Sequence, residues 1–374
     1  MSFIKPRFST EPAYLHGQTN KTAVLFCNLG TPEHPTAPNL RHYLAEFLSD
    51  PRVVEIPKWI WMIILHGIIL RTRPAKSAKK YASIWTEQGS PLKVWTEKQA
   101  HGLELEIKKR LADLGEESDV IVRYAMRYGA PSIDERLSEL KEQGVTRVLM
   151  LPAYPQYSAT TTASLFDVVF AWGSKSRLLP EFRFINHYHD HPSYIKALAH
   201  QVQTHWSQHG RAQKLLMSFH GIPQRSLNLG DPYHCECHKT GRLLAEELKL
   251  SKGDYLVTFQ SRFGKAKWLE PYTEPTAKAL AEQGVQSIDV VCPGFTSDCL
   301  ETLEEIGMEV KETFLHAGGK TFNYIACLND ATPWIEALAN IALEHLSGWP
   351  ISGTKNEQER SLSRQHALEL GASN

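Results

Sequence analysis

The string Glu142-Gln143-Gly144-Val145 returns as Glu282-Gln283-Gly284-Val285, each time between a helical pattern and an apolar strand pattern, at 148–151 and 288–291 respectively. Each of these strands runs into a Pro and a loop bearing aromatic residues. Upstream, residues 24–32 parallel residues 215–223, with Gly30-Thr31-Pro32 matching Gly221-Ile222-Pro223 and Leu29 falling opposite His220. Matching context at both ends argues against a chance repeat. The order of strand, loop, helices, strand, loop and helix in each half predicts an α/β chain. Two similar Rossmann-like domains are expected, each a parallel sheet flanked by helices, with a cleft between them.

Length agrees, because 374 residues exceed the size at which a single core stops growing. The expected division is 1–165 for the first domain and 166–330 for the second, which carries His220 and Glu301. A helix at 331–346 is expected to pack back on the first domain. A polar tail at 347–374 should form a loose end or a short exposed helix. Candidate helices lie at 99–114, 132–143, 194–208, 240–250, 273–283, 298–306 and 332–346. The first half is the longer, and its surplus fits an insertion around 55–80 that would form a lip over the cleft.

That insertion holds the longest apolar run, residues 59–70, well short of the roughly 20 residues that cross a bilayer. Lys58 precedes it, and Arg71, Arg73, Lys76, Lys79 and Lys80 follow, as in a segment lying in an interface or lining an apolar mouth. An ordinary core helix is the other reading, and a short apolar run does not separate the two. Residues 1–21 include Lys5, Arg7 and Glu11 and no apolar stretch of the secretory kind. The expected location is the cytoplasm, with the 59–70 lip as a peripheral contact to the inner face of the membrane. Forty-one basic residues balance forty-one acidic ones, so no global field draws nucleic acid. The six cysteines are scattered and suit a reducing compartment rather than a disulfide framework.

The chemistry gathers where strands end. Residues 215–219 read as a buried strand stopped by His220-Gly221-Ile222-Pro223, which leaves an imidazole on the rim where open α/β sheets place their ligands. A second strand at 289–292 turns through Pro293-Gly294-Phe295-Thr296-Ser297-Asp298-Cys299-Leu300-Glu301 into a helix with acidic residues. On an α-helix Asp298, Glu301 and Glu305 would share one face, with Glu309 as an extension. One nitrogen base and one carboxylate can thus meet at a single sheet edge. Taken alone, His220 reads as a satisfied core histidine, the acidic row as a solvated helix face, and Tyr154, Trp268 and Phe295 as core aromatics.

The segments Ser218-Phe219-His220-Gly221-Ile222-Pro223 and Gly230-Asp231-Pro232-Tyr233 resemble the signature of the ferrochelatase family. In the family's order, so do Asn28-Leu29-Gly30-Thr31-Pro32, Tyr154-Pro155-Gln156-Tyr157-Ser158, Phe259-Gln260-Ser261-Arg262-Phe263-Gly264, Trp268-Leu269 and the run from Phe295 to Leu303. Ordered motifs in this number are more specific than any lone pattern.

The resemblance implies chelatase-type domains and a lyase, protohaem ferro-lyase, that inserts Fe2+ into protoporphyrin IX in the last step of haem b biosynthesis. It implies His220 and Glu301 as catalytic and metal-facing residues, and Asp298 and Glu305 as a path for metal or protons. Leu29, Arg73, Tyr81, Tyr154, Ser158, Ser261, Trp268 and Phe295 would bind porphyrin, with Arg73, Tyr81 and Ser261 on the propionates and Lys76 near them. Loss of two pyrrole protons calls for a base that titrates near working pH, which suits His220. One imidazole with carboxylates gives a metal path weak enough to let go, unlike a cage of thiolates and imidazoles.

Relatives acting on coproporphyrin typically carry Tyr where Leu29 stands, so Leu29 favours protoporphyrin. A chelatase for another tetrapyrrole or metal, such as coproporphyrin or Co2+, and a non-catalytic porphyrin or haem carrier remain alternatives. No cofactor is expected beyond Fe2+ as substrate. A [2Fe–2S] cluster of the C-terminal kind is disfavoured because no Cys follows Cys327, and one on Cys235 and Cys237 would need two further ligands. Two metal-like strings stand outside this scheme. His187-Tyr188-His189-Asp190-His191 reads as a helix start rather than a ligand set; His234-Cys235-Glu236-Cys237-His238 is expected as exposed loop residues, although two thiols between two histidines could bind metal. Cys299 is a further candidate ligand. Oligomeric state is not legible.

Overall fold

The computed structural model describes residues 8–262, 264, 266–352 and 357–374. Lys5 and Arg7, Phe263, and residues 353–356 of the expected tail lie outside the described residues. The strand β1 (Lys21–Gly30) is buried on both faces along most of its length, which its near-continuous apolar sequence allows and a central parallel strand requires. It lies between β2 (Ile121–Tyr128) and β3 (Val145–Pro152), and β4 (Glu181–Phe184) closes the sheet in the order β2-β1-β3-β4. The second sheet repeats this with β5 (Lys214–His220), β6 (Tyr255–Gln260), β7 (Ser287–Val291) and β8 (Thr321–Tyr324), in the order β6-β5-β7-β8. Every pairing is parallel. Strand for strand the two orders coincide, as the repeated strings require. Leu29 near the end of β1 and His220 at the end of β5 hold equivalent places.

Alternation of side chains across each strand sorts the core into layers. Val24 and Phe26 of β1 join Met217 and Phe219 of β5 in one cluster, filled by Leu103, Ile107, Tyr194, Leu198 and Trp334 from helices Pro91–Asp113, Pro192–His209 and Thr332–Leu346. The intervening Ala23 and Leu25 face a separate cluster with Leu137, Leu165 and Val169, and Leu216 faces another with Ile306 and Phe314. The two halves therefore share their largest core. Each fully buried Leu or Phe contributes about 1.5–3 kcal/mol. Arg110 ties helix Thr332–Leu346 to helix Pro91–Asp113, its Nη1 donating to Asn340 Oδ1 at 2.6 Å.

A division at 165/166 would cut the first sheet, because β4 pairs with β3 beyond it. The sheets separate between Phe184 and Lys214, where helix Pro192–His209 crosses over. Beyond residue 346, Thr22 Oγ1 donates to Pro350 O at 2.8 Å, and helix Glu357–Glu369 buries none of its residues.

The lip is a helix in three windings: Lys58–Ile64, a π-turn at Leu65–Ile69, and Leu70–Ile84. Trp61, Leu65 and Leu70 are buried, with Trp61 Nε1 donating to Leu48 O at 2.6 Å. Trp59 (72% exposed), Ile63 (69%) and Ile68 face outward. The apolar run thus supplies both a packed face and a bare one. Among the described residues no helix is long and apolar enough to cross a membrane.

Candidate active site

His220 is the last residue of β5, in register with Gln260 of β6. The chain leaves the sheet through Gly221, whose N–H donates to Gln260 O at 2.7 Å. A Cβ here would lie 2.7 Å from that oxygen and 3.2 Å from Trp268 Cε3, so only glycine fits the turn. His220 Nδ1 lies 2.6 Å from Gly221 O. A carbonyl oxygen only accepts, so Nδ1 carries the proton of the neutral ring and Nε2 keeps its lone pair. The Phe295 ring, off the end of β7, is 6.4 Å from the imidazole.

The acidic segment differs from the expected α-helix. Asp298 precedes the helix, and Glu301–Val310 winds as a π-helix before Lys311–His316 returns to α geometry. Wider i→i+5 winding keeps Glu301 and Glu305 on adjoining faces and leaves Asp298 outside the row. Glu305 accepts from Ser261 N at 2.7 Å, Ser261 Oγ at 2.5 Å and Gln260 Nε2 at 3.4 Å. Burial pushes its carboxyl above the usual range, and the Glu301 charge adds to this, while the Ser261 hydrogen bonds and His220 pull it back. Both His220 and Glu301 therefore act on Glu305, with opposite sign. The structure brings these three side chains to one edge, although among the described residues no direct ion pair joins His220 to Glu301.

Glu301 is anchored through its carbonyl, which accepts from Gln260 Nε2 at 2.8 Å. Tyr81 is pushed well up by burial and then by the charges of Tyr43 and Glu301, which places this carboxylate beside the two phenols of the first half. Burial, and then Glu301, likewise raises the Cys299 thiol, so it stays protonated and is a poor metal ligand. Asp298 accepts from Asn329 Nδ2 at 2.7 Å, Cys327 N at 3.2 Å and Thr302 Oγ1 at 3.3 Å, and from the Tyr324 hydroxyl. Its oxygens hold the loop after β8.

Leu29 packs with Tyr43, Tyr81 and Tyr128 of the first half and Leu300 of the second, so this cluster spans the seam. Burial lowers the pKa of Arg73 on the lip. Ser158 Oγ donates to Asp231 Oδ2 at 3.0 Å and caps the turn Ala159–Ala163; with Ser261 bound to Glu305, both hydroxyls are engaged within the protein. Tyr154 and Trp268 differ: the Tyr154 hydroxyl and Trp268 Nε1 are buried with no hydrogen-bond partner among the described residues. Such groups cost about 1–3 kcal/mol each, and a polar ligand or water between the halves would satisfy them.

Three contributors escaped the sequence reading. Gln260 lay within a quoted motif without a role, and its place beside the His220 strand end was the available signal. Tyr43, whose hydroxyl donates to Gly30 O at 3.1 Å, gave none. Lys80 reaches from the lip to Glu304 at 2.9 Å and Glu309 at 2.7 Å, and Glu55 pairs with Arg225, so these three ion pairs span the seam.

The string 234–238 is not an exposed loop. It opens helix Tyr233–Glu247, because Asp231 Oδ1 accepts from Tyr233 N at 3.0 Å and Pro232 stands at the N-cap. Glu236 and Cys237 are buried and Cys235 is exposed, so the two thiols point apart. Residues 187 and 189 come together with Glu236, contrary to the expectation that they only start a helix. His191 is the N-cap of helix Pro192–His209, its Nδ1 accepting from Ser193 N at 3.2 Å.

The ferrochelatase family model matches residues 21–346. The chain is 62% identical to the ferrochelatase of Polaromonas sp. strain JS666 over 98% of its length and 99% of that protein's. It is 59% identical to the ferrochelatase of Methylibium petroleiphilum, with the same coverage. The solved structure of SirB from Bacillus subtilis with Fe3+ superposes with a TM-score of 0.50 at 13% identity, covering 87% of this chain and 96% of that one, a likeness of fold. With the match spanning both sheets and the edge that joins His220 to its carboxylates, this chain belongs to the ferrochelatase family.

Proposed function

We propose that this protein inserts Fe2+ into protoporphyrin IX to form haem b, acting as a metal chelatase of the lyase class. The observation that carries the reading is the shared edge of His220, Glu305 and Glu301, where one imidazole nitrogen with a free lone pair stands by two carboxylates. Insertion exchanges two pyrrole protons for one Fe2+. His220 Nε2 accepts the two pyrrole protons in turn, and Glu305, raised toward neutrality, passes each on toward solvent before the next leaves. A single imidazole with carboxylate oxygens holds a divalent ion loosely enough to surrender it.

The porphyrin would lie between Leu29, Tyr81 and Tyr154 on one wall and Trp268 and Phe295 on the other. Arg73 would face a propionate. Ser261 serves chiefly by holding Glu305, Ser158 by fixing the loop that carries Tyr154, and Asp298 by fixing the start of the acidic helix. The halves divide near helix Pro192–His209, with helix Thr332–Leu346 completing the first. Iron is substrate, and the separated thiols of Cys235 and Cys237 give no basis for a [2Fe–2S] cluster. The bare face of Trp59, Ile63 and Ile68 suits peripheral contact of a cytoplasmic protein with the inner face of the membrane.

Single-turnover absorbance tests this. Protoporphyrin IX bound to the protein should lose its free-base bands on anaerobic addition of Fe2+, while coproporphyrin is metallated more slowly. Persistent free-base bands would mark a carrier, and preference for coproporphyrin or Co2+ would reassign the substrate.

A further inference from the structure

A second group of ligand atoms lies away from the His220 edge, where the loop after β4 meets helix Tyr233–Glu247. His187, His189 and Glu236 each offer one atom, all within 4.8 Å of one another. Glu236 is buried and its two oxygens face different rings: Oε1 lies 2.7 Å from His187 Nδ1, and Oε2 lies 3.3 Å from His189 Nδ1. The imidazole planes are nearly perpendicular at 5.0 Å, so both nitrogens converge on the carboxylate rather than stack.

His189 carries the argument. It is 5% exposed, and its Nδ1 has no hydrogen-bond partner among the described residues, the approach to Glu236 Oε2 being off the hydrogen-bonding line. A buried imidazole nitrogen aimed at a carboxylate it does not bond is costly unless something else fills the gap. Its other nitrogen, Nε2, faces Asp190 Oδ2 at 3.9 Å, and Lys239 Nζ holds that carboxylate at 2.5 Å. With its proton on Nε2 the ring would present the Nδ1 lone pair to that gap, the arrangement seen around metal-bound histidines.

We propose that His187, His189 and Glu236 form an accessory site for a first-row divalent cation of the Zn2+ or Fe2+ kind, pinning helix Tyr233–Glu247 to the first half of the chain. Two imidazoles and one carboxylate suit such an ion, and three protein ligands leave a fourth position to water. His187 is half exposed, so the ion enters from its side and exchanges with solvent. On binding, the His187 proton moves from Nδ1 to Nε2, and no net proton is released from the neutral ring. Glu236 Oε2 also accepts from Tyr157 N at 2.7 Å, and Tyr157 follows Tyr154 by three residues, so occupancy stiffens one wall of the seam.

The test uses the full chain carrying His220→Ala, which silences the catalytic edge, titrated with Zn2+ against a chromophoric chelator. One equivalent should bind, with a rise in thermal midpoint. Adding His187→Ala, an exposed change that leaves the fold intact, should weaken binding at least tenfold and abolish the thermal shift. Glu236→Gln, which keeps an acceptor for Tyr157, should do the same. Absence of Zn2+ uptake by the His220→Ala chain, or uptake that survives both further changes, overturns the proposal.

Discussion

Replacing Gln260 with Leu tests whether the sheet edge positions the carboxylates. The side chain is buried and bonds in two directions. Oε1 accepts from Ser218 Oγ at 2.8 Å, while Nε2 donates to Glu301 O at 2.8 Å and Glu305 Oε2 at 3.4 Å. Leucine fills much of the volume, so little cavity remains, and the cost falls on the groups left behind. Ser218 keeps Thr273 Oγ1 at 2.8 Å, so its loss is a single hydrogen bond, about 1 kcal/mol. The carbonyl of Glu301 stands where the π-helix begins and loses its donor, about 1–3 kcal/mol. Together the destabilisation comes to about 2–4 kcal/mol. It should appear as a lower urea midpoint with unchanged slope. Because Glu301 and Glu305 lose a common anchor, kcat should fall at least tenfold while KM for porphyrin holds. Parent stability together with parent kcat would refute the positioning argument.

Asp50 is a buried acceptor for Arg127 Nη2 and Ser164 Oγ, each at 2.5 Å, and for Tyr128 OH at 2.8 Å. Burial would raise its carboxyl, but these bonds and the Arg127 charge outweigh it and hold it below the usual range. A depressed carboxyl lends stability above its unfolded pKa of about 3.9 and withdraws it as pH falls through the folded value. Asp50→Ala should therefore cost about 3–5 kcal/mol at neutral pH and flatten the acid limb of a stability-versus-pH curve; an unchanged limb would count against the network. Lys80→Met removes two pairs, to Glu304 and Glu309, that share a half-exposed cation, so the stability loss should stay under about 2 kcal/mol, while hydrogen exchange across 70–84 quickens. Exchange at the parent rate would mean the lip is held by packing alone.

The repeated strings and Gly-x-Pro turns made both sheets legible, because a parallel strand buried on two faces leaves a continuous apolar run and its exit needs Gly. The four-residue edge strand β4 has no such run, which is why the division fell inside the first sheet. The π-winding after Leu300 leaves no period in the sequence to read, so Asp298 was grouped with carboxylates whose row it does not join. Helix Tyr233–Glu247 was started too late because its first turns are His, Cys and Glu, residues that read as loop until Glu236 is seen buried against His187 and His189. That meeting, like the approach of Tyr43 and Lys80 to the acidic helix, is made by tertiary packing across sequence separations no local pattern records. The position of His220 at the sheet rim was legible because it closes β5 ahead of Gly221, and that of Glu301 because the Pro-Gly turn after β7 leads into its helix.

The most direct measurement is the rate of iron insertion by His220→Ala alongside its equilibrium affinity for protoporphyrin. The account predicts porphyrin binding near the parent value with insertion reduced by about 10²-fold or more, the scale of a lost general base. A folded variant that metallates porphyrin at the parent rate would contradict the assignment of the imidazole as the base.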